Sequence, residues 1–378
     1  MKGVLEGNEV RLGRDARALY DQSGYGRPEK GGEGLRLSAE EALYLHHRNR
    51  IEVPDFDFDR LLSVFTSNPN FFRSYLVYRD LRERGYAVQT GPHDFRVFRR
   101  GERPGTGQSR YMVRVLSERD LVDFGILVRE FQASANMRKQ HVLAVVDDEN
   151  ELTYYEIKVQ ALPDIGRPVE ISHMNGVLTG RYVIVERSPG EAGVPGGQPC
   201  AGEHQGWHQT DGQITPAMDR TGTEKCVSLP SPGALPGFFG MQLDRSRIVL
   251  SSLEAIYLMQ TGRLSLRKEG TSVALPAYLA LVASADVEIL EKVVVYGDLR
   301  DRGYTPKTGY KFGHHFRVYT GNKVHSEMLV HAAAADMTMP ASSISRSVRL
   351  SHSVKKKMLF GCVHTTGIHY IEFARIKL

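Results

Sequence analysis

Tyr319, His325 and Lys356 are the side chains of this sequence best suited to moving protons around a phosphodiester. When an RNA strand is cut by its own 2′-hydroxyl, one group takes the hydroxyl proton and another protonates the departing 5′-oxygen. A cation must also stabilise the crowded negative phosphorane between them. Histidine suits the acid role because it titrates near neutrality, and lysine suits the electrostatic one. Tyrosine is the awkward member, since a free phenol ionises at about 10. Lys355, Lys356, Lys357 and Arg349 are cations whose proximity would lower that value. The scheme requires no metal and no cofactor.

These three residues stand out because the chain contains a repeat. Tyr78-Arg-Asp-Leu-Arg-Glu-Arg-Gly-Tyr86 returns as Tyr296-Gly-Asp-Leu-Arg-Asp-Arg-Gly-Tyr304 at an offset of 218 residues. Phe95-Arg-Val-Phe98 returns as Phe316-Arg-Val-Tyr319 at 221, because three extra residues lie within the second copy's YKFGHH. Gln108-Ser109 matches His325-Ser326, and Arg138-Lys139 matches Lys355-Lys356, both at 217. Further upstream, Ser38-Ala-Glu-Glu41 matches Ser251-Ser-Leu-Glu254 at 213, and Met1-Lys-Gly-Val-Leu matches Met174-Asn-Gly-Val-Leu at 173. The first copy therefore has Phe98, Gln108 and Lys139 where the second has Tyr319, His325 and Lys356. Loss of the titrating groups on a retained scaffold is the pattern of an inactive structural copy; drift at surface positions would leave the same pattern.

The same elements must position the residues in both copies. Ser38-x-x-Glu41 and Ser251-x-x-Glu254 are capping-box signatures that open a helix. The segments ending at Gly85 and Gly303 have apolar residues at helical spacing. Short strand-like runs follow, among them FRVF and FRVY, then helices ending near Lys139 and Lys356, then two strands flanking a turn. This order predicts an α+β fold, a tandem duplication of a small N-terminal α/β subdomain followed by a mixed-sheet subdomain. The expected boundaries are 1–70 and 71–170 for the first copy, and 171–285 and 286–378 for the second. The jump in offset from 173 to 213 implies a 40-residue insertion in the second copy, and residues 189–240, with 11 Gly and 7 Pro, are its expected place.

Composition sets the outer bounds. The 378 residues carry 49 Lys+Arg and 44 Asp+Glu, a net charge of +5 that suits an anionic partner without demanding one. No apolar run approaches the ~18 residues of a membrane helix, and the N-terminus lacks a signal-peptide core. Cys200, Cys226 and Cys362 are too few for a disulfide framework and fit a reducing cytoplasm. Cys200, His204, His208 and Cys226 can be drawn as a zinc site, but their spacing fits no common pattern. No metal is expected.

The strings GYTPKTGYKFGHHFRVY, HSEMLVH and RSVRLSHSVKKKML resemble the archaeal tRNA-splicing endonucleases, and the order of one degenerate and one complete copy resembles their two-unit, homodimeric subclass. The resemblance implies an RNA endonuclease that cuts precursor tRNA at bulge-helix-bulge intron boundaries without metal, leaving 2′,3′-cyclic phosphate and 5′-hydroxyl ends. It assigns Tyr319 as general base, His325 as general acid and Lys356 as transition-state stabiliser. Choosing Lys356 over Lys355 or Lys357 depends on alignment with His352-Ser353-Val354. Arg349 and Arg375 match the arginines that sandwich a flipped bulge base. The acidic turn Asp147-Asp148-Glu149-Asn150-Glu151 matches a loop that docks into the opposite subunit of the dimer. Residues 343–378 offer a basic recipient, with seven Lys/Arg against Glu372 alone; a solvated charged turn is the plainer reading. A non-catalytic RNA-binding scaffold of the same fold is the alternative to the enzyme.

Overall fold

A computed structural model describes residues 1–32, 34–166, 171–186, 238–321, 323 and 325–378. Most of the insertion, with Cys200, His204, Trp207, His208 and Cys226, lies outside the described residues. Two compact units are present. One contains Met1–Gln160, Ala335–Cys362 and His369–Leu378, and the other contains Ala161–Ala334 and Val363–Ile368.

The first unit begins with a four-stranded antiparallel sheet, in the order Gly3–Glu6, Glu9–Leu12, Leu35–Ser38, Arg27–Pro28. The helix Ala39–His47 starts where the sequence places it. Ser38 accepts from the backbone N–H of Glu41, and Glu41 accepts from that of Ser38 at 3.0 Å. Helices Phe58–Phe65 and Phe71–Glu83 follow, their apolar faces packed in one core with Leu12, Leu43, Val97 and Val142.

Its larger sheet runs Val88–Thr90, Phe95–Phe98, Ser109–Ser117, Gln140–Val146, Leu152–Gln160, Gly367–Ile376, Lys357–His364 in spatial order. The pairing of Ser109–Ser117 with Gln140–Val146 is parallel, because the helix Phe124–Asn136 makes the crossover between them. The other pairings on this side are antiparallel, so the sheet is mixed as expected. Leu152–Gln160 then pairs antiparallel with Gly367–Ile376, from Tyr154 opposite Ile376 to Gln160 opposite Tyr370. The last strand of the first copy is thus bonded to the last strand of the second. Thr338–Pro340 likewise pairs with Leu121–Asp123. The following helix, Ala341–Ser353, has its first N–H groups satisfied by Asp120 O at 2.9 Å and Glu118 O at 2.8 Å. Phe124 meets Phe360 and Phe373 with ring centroids 5.1 and 6.1 Å apart. Each fully buried phenyl contributes roughly 1.5–3 kcal/mol.

The second unit has a six-stranded sheet, in the order Met241–Gln242, Arg247–Leu250, Tyr182–Glu186, Met174–Thr179, Leu264–Lys268, Thr271–Val273. Helices Ser252–Gln260, Leu275–Ala283 and Ile289–Asp301 lead to three antiparallel strands, Thr305–Thr308, Phe316–Tyr319 and Met328–Ala334. The duplication is visible in core geometry. Tyr44–Tyr78 and Tyr257–Tyr296 are both edge-to-face, at 5.8 and 5.9 Å. Arg82 lies 3.5 Å from the Tyr25 ring centre and Arg300 lies 3.9 Å from that of Phe239.

Buried imidazoles make both units acid-sensitive. Burial pushes His141, His314 and His331 down to about 4. The unfolded chain protonates them near 6.5, so their contribution is complete above that value and is lost as pH falls towards 4, at roughly 2–3 kcal/mol each. Urea denaturation at pH 7.5 and pH 4.5 should show a loss of several kcal/mol, and His314→Phe should make the fall shallower. Equal stability at the two pH values would contradict this.

Candidate active site

Tyr319 ends the strand Phe316–Tyr319, opposite Thr305, and is 6% exposed. Strand alternation puts Arg317 on the same face, and its guanidinium carbon lies 5.7 Å from the centre of the Tyr319 ring. Arg317 is thus a neighbour of the phenol that lysine spacing did not suggest. The signal for it was the period-two pattern of FRVY itself. His325 is exposed in the connection to Met328–Ala334. Gly321 turns that connection with a left-handed backbone, φ 57°. The N–H of Glu327 donates to Val318 O at 3.0 Å, which closes the hairpin just beyond the histidine. Tyr319 and His325 therefore belong to one hairpin of the second unit.

Lys356 belongs to the first unit and follows the helix Ala341–Ser353. Lys355 adopts a left-handed conformation, φ 54°, and the N–H of Lys356 donates to Ser351 O at 2.8 Å. The first copy repeats this helix end: Arg138 has φ 56°, and the N–H of Lys139 donates to Ser134 O at 2.9 Å. Backbone conformation therefore puts Lys356 in the place of Lys139. Lys355 is the residue that terminates the helix, and Lys357 opens the next strand with its ammonium 3.9 Å from Glu372. Arg349 is exposed on the same helix, and Arg375 is exposed on the last strand, opposite Tyr155.

The acidic turn is only partly available to a partner. Asp147 accepts the backbone N–H groups of Glu149 at 3.0 Å and Glu151 at 2.8 Å, so its carboxylate shapes the turn. Asp148 pairs with Arg119. Asp148, Glu149 and Glu151 are exposed.

Among the described residues, Glu288, His315 and His331 bring ligand-type atoms within 4.8 Å of one another. Their bonding is already committed. His315 Nδ1 accepts the N–H of Ala332 at 3.0 Å, which leaves the proton on Nε2, 3.2 Å from Glu288. Lys292 also pairs with Glu288, at 3.2 Å. Burial raises the Glu288 carboxyl, but the Lys292 hydrogen bond and nearby charge outweigh it and hold the group low. A bound cation would have to displace both that proton and that ammonium.

Family models match this chain twice each. The tRNA intron endonuclease N-terminal domain matches residues 1–63 and 236–279. The catalytic C-terminal domain of the same family matches 71–154 and 289–370. The chain belongs to the tRNA intron endonuclease family. It is similar to a protein named tRNA-splicing endonuclease from Methanosarcina barkeri, 35% identical over 394 residues and covering all of both chains. A protein of the same name from Methanococcoides burtonii is 34% identical over 374 residues, covering 95% of each chain. Another, from Natronomonas pharaonis, is 33% identical over 397 residues, covering 100% of this chain and 99% of the other.

An ion pair anchors the strand that pairs with Phe316–Tyr319. Lys307, on the strand Thr305–Thr308, bonds the buried Glu254 at 2.7 Å. Burial alone would raise the Glu254 carboxyl, but the Lys307 charge and hydrogen bond hold it low. In the first copy Gln89 stands at the matching position, and burial pushes the equivalent Glu41 up. Lys307→Met should therefore cost about 3 kcal/mol by stranding a buried carboxylate, and Lys307→Met with Glu254→Gln should recover part of it. Urea denaturation checks this, and a loss below about 1 kcal/mol for the single variant would contradict it.

Proposed function

We propose that this protein cuts precursor tRNA at the two bulges of a bulge-helix-bulge motif, using Tyr319 as general base, His325 as general acid and Lys356 to stabilise the phosphorane. The observation that carries this reading is the unequal pair of matched positions. Both copies have the matching strand and left-handed helix end, yet at the matched positions a phenol and an imidazole occur only in the second. Geometric equivalence of the Lys139 and Lys356 sites supports Lys356 over its two neighbours. Arg317 beside the phenol supplies positive charge to the phenolate, the form that can take the 2′-hydroxyl proton.

The 2′-oxygen attacks the adjacent phosphorus, the P–O5′ bond breaks, and the leaving oxygen takes a proton from His325. The products are a 2′,3′-cyclic phosphate and a 5′-hydroxyl. No metal takes part. Arg349 and Arg375, exposed on the first unit, stack on a flipped bulge base, since unpaired bases present the faces a protein can reach. Two cuts need two sites, so the chain works as a homodimer, with Asp148, Glu149 and Glu151 meeting a basic surface of the partner. The ranges of the family matches support a division into subdomains at 1–70, 71–170, 171–285 and 286–378 along the sequence.

A bulge-helix-bulge RNA incubated with the protein in EDTA should be cut at both bulges. His325→Ala should lower the single-turnover rate by about 10²–10⁴-fold with RNA affinity nearly unaltered. Binding without cutting by the wild type would favour a scaffold role, and normal cutting by the variant would remove His325 as the acid. Reversing Asp148 and Glu149 to lysine, with Asp147 kept for the turn, should weaken the dimer in sedimentation. An unaltered dimer would take the acidic turn out of the interface.

A further inference from the structure

The three residues that lengthen YKFGHH relative to the first copy build a turn with one conspicuous product. Tyr310 is 90% exposed, in a short helical turn Tyr310–Phe312 between the strands Thr305–Thr308 and Phe316–Tyr319. The turn is rigidly held. Phe312 is buried at 5% exposure, and Gly309 N donates to His315 O at 2.9 Å. Phe312 N donates to Gly309 O at 2.8 Å and Gly313 N to Tyr310 O at 2.9 Å. A Cβ on Gly309 would lie 2.8 Å from His314 O, so the backbone passes too close for any other residue. Gly313 adopts φ +69°, the left-handed region that glycine tolerates. In the first copy Gly91-Pro92-His93 spans the same gap, and no large apolar side chain there is exposed among the described residues.

An anchored, preorganised turn that presents one aromatic ring to solvent loses little entropy when a flat partner covers it. Cations stand close by. Lys311 lies over the Phe312 ring at 4.7 Å, and Arg317 faces Lys307 across the strand pair. The turn leads into the strand Phe316–Tyr319, and Tyr319 ends that strand three residues and roughly 10 Å beyond Phe316. We infer that Tyr310 stacks on an unpaired RNA base flanking the scissile phosphate, acting as a binding residue of the catalytic copy. This rests on the endonuclease reading above and extends it to a contact beyond the phosphate and the flipped bulge base. Every base has a π-face, so the contact anchors the strand without reading its sequence.

The test is equilibrium titration of the full-length protein with a bulge-helix-bulge RNA, alongside single-turnover cleavage. Tyr310→Ala should raise Kd about tenfold, while Tyr310→Phe and Tyr310→Trp stay within about twofold of wild type. Single-turnover cleavage by Tyr310→Ala at subsaturating protein should slow as binding weakens. The salt dependence of binding should keep its slope, because stacking releases no counterions. Unaltered Kd for Tyr310→Ala, in a protein that cuts this RNA, overturns the inference and leaves the endonuclease reading intact. Loss of dimer in sedimentation would assign the ring to a protein interface and overturn it equally. A wild type that fails to cut the RNA at all defeats the endonuclease reading instead.

Discussion

The antiparallel pairing of Leu152–Gln160 with Gly367–Ile376 is the constraint on which the first unit depends. A strand at the end of a sheet leaves a row of unpaired N–H and C=O groups, and here each copy's terminal strand supplies the other's missing neighbour. Consequently the final segment of the second copy is built into the sheet of the first. The helix Ala341–Ser353 starts on carbonyls of Glu118 and Asp120, and Phe360 and Phe373 pack on Phe124. The C-terminal Leu378 is buried, and its carbonyl accepts from Arg84 at 3.0 Å. The helix end that precedes Lys356 is therefore held by the copy that lacks the titrating groups, which gives that copy a physical reason to persist.

The two copies have the same aromatic and capping framework but balance their buried charges differently. Glu41 is buried against backbone N–H groups of Gly26 and Ser38, whereas Glu254 adds the Lys307 ammonium. In the first copy Asp94 accepts the N–H of Val115 at 2.7 Å, and in the second His315 accepts that of Ala332 at 3.0 Å. Both side chains thus satisfy the equivalent backbone donor with different chemistry. The first copy surrounds its acceptor with Arg114 and Glu130, the carboxyl of Glu130 being held down to about 2 by its His93 and Arg114 partners against the effect of burial. The second uses Glu288, Lys292 and His331. Divergence has rewired these networks without leaving the shared backbone bond unmade.

Much of the architecture was legible in the sequence because its signals are local. Ser38-x-x-Glu41 and Ser251-x-x-Glu254 form the capping boxes they spell, and Gly85 and Gly303 end their helices in left-handed conformations. The repeat offsets identified matched backbone, down to the left-handed Arg138 and Lys355. Pairing between the two terminal strands was not legible, because register between strands more than two hundred residues apart is set by tertiary packing. The α/β character of the N-terminal subdomains was expected but their individual strands were not placed: strands such as Gly3–Glu6 and Arg27–Pro28 are too short for period-two alternation to register. Among site residues, Arg317 was overlooked in favour of the lysine run, and Asp147 was grouped with its acidic neighbours although its carboxylate folds the turn.

The central claim is that the RNA supplies its own nucleophile while the second copy supplies the proton-transfer groups. The most direct measurement is cleavage, in EDTA, of a bulge-helix-bulge RNA carrying a single 2′-deoxynucleotide on the 5′ side of one scissile bond. The account predicts that this bond stays intact while the unmodified bulge is cut to a cyclic phosphate. Cleavage at the deoxy position would show that water or another nucleophile does the work, and would contradict the account.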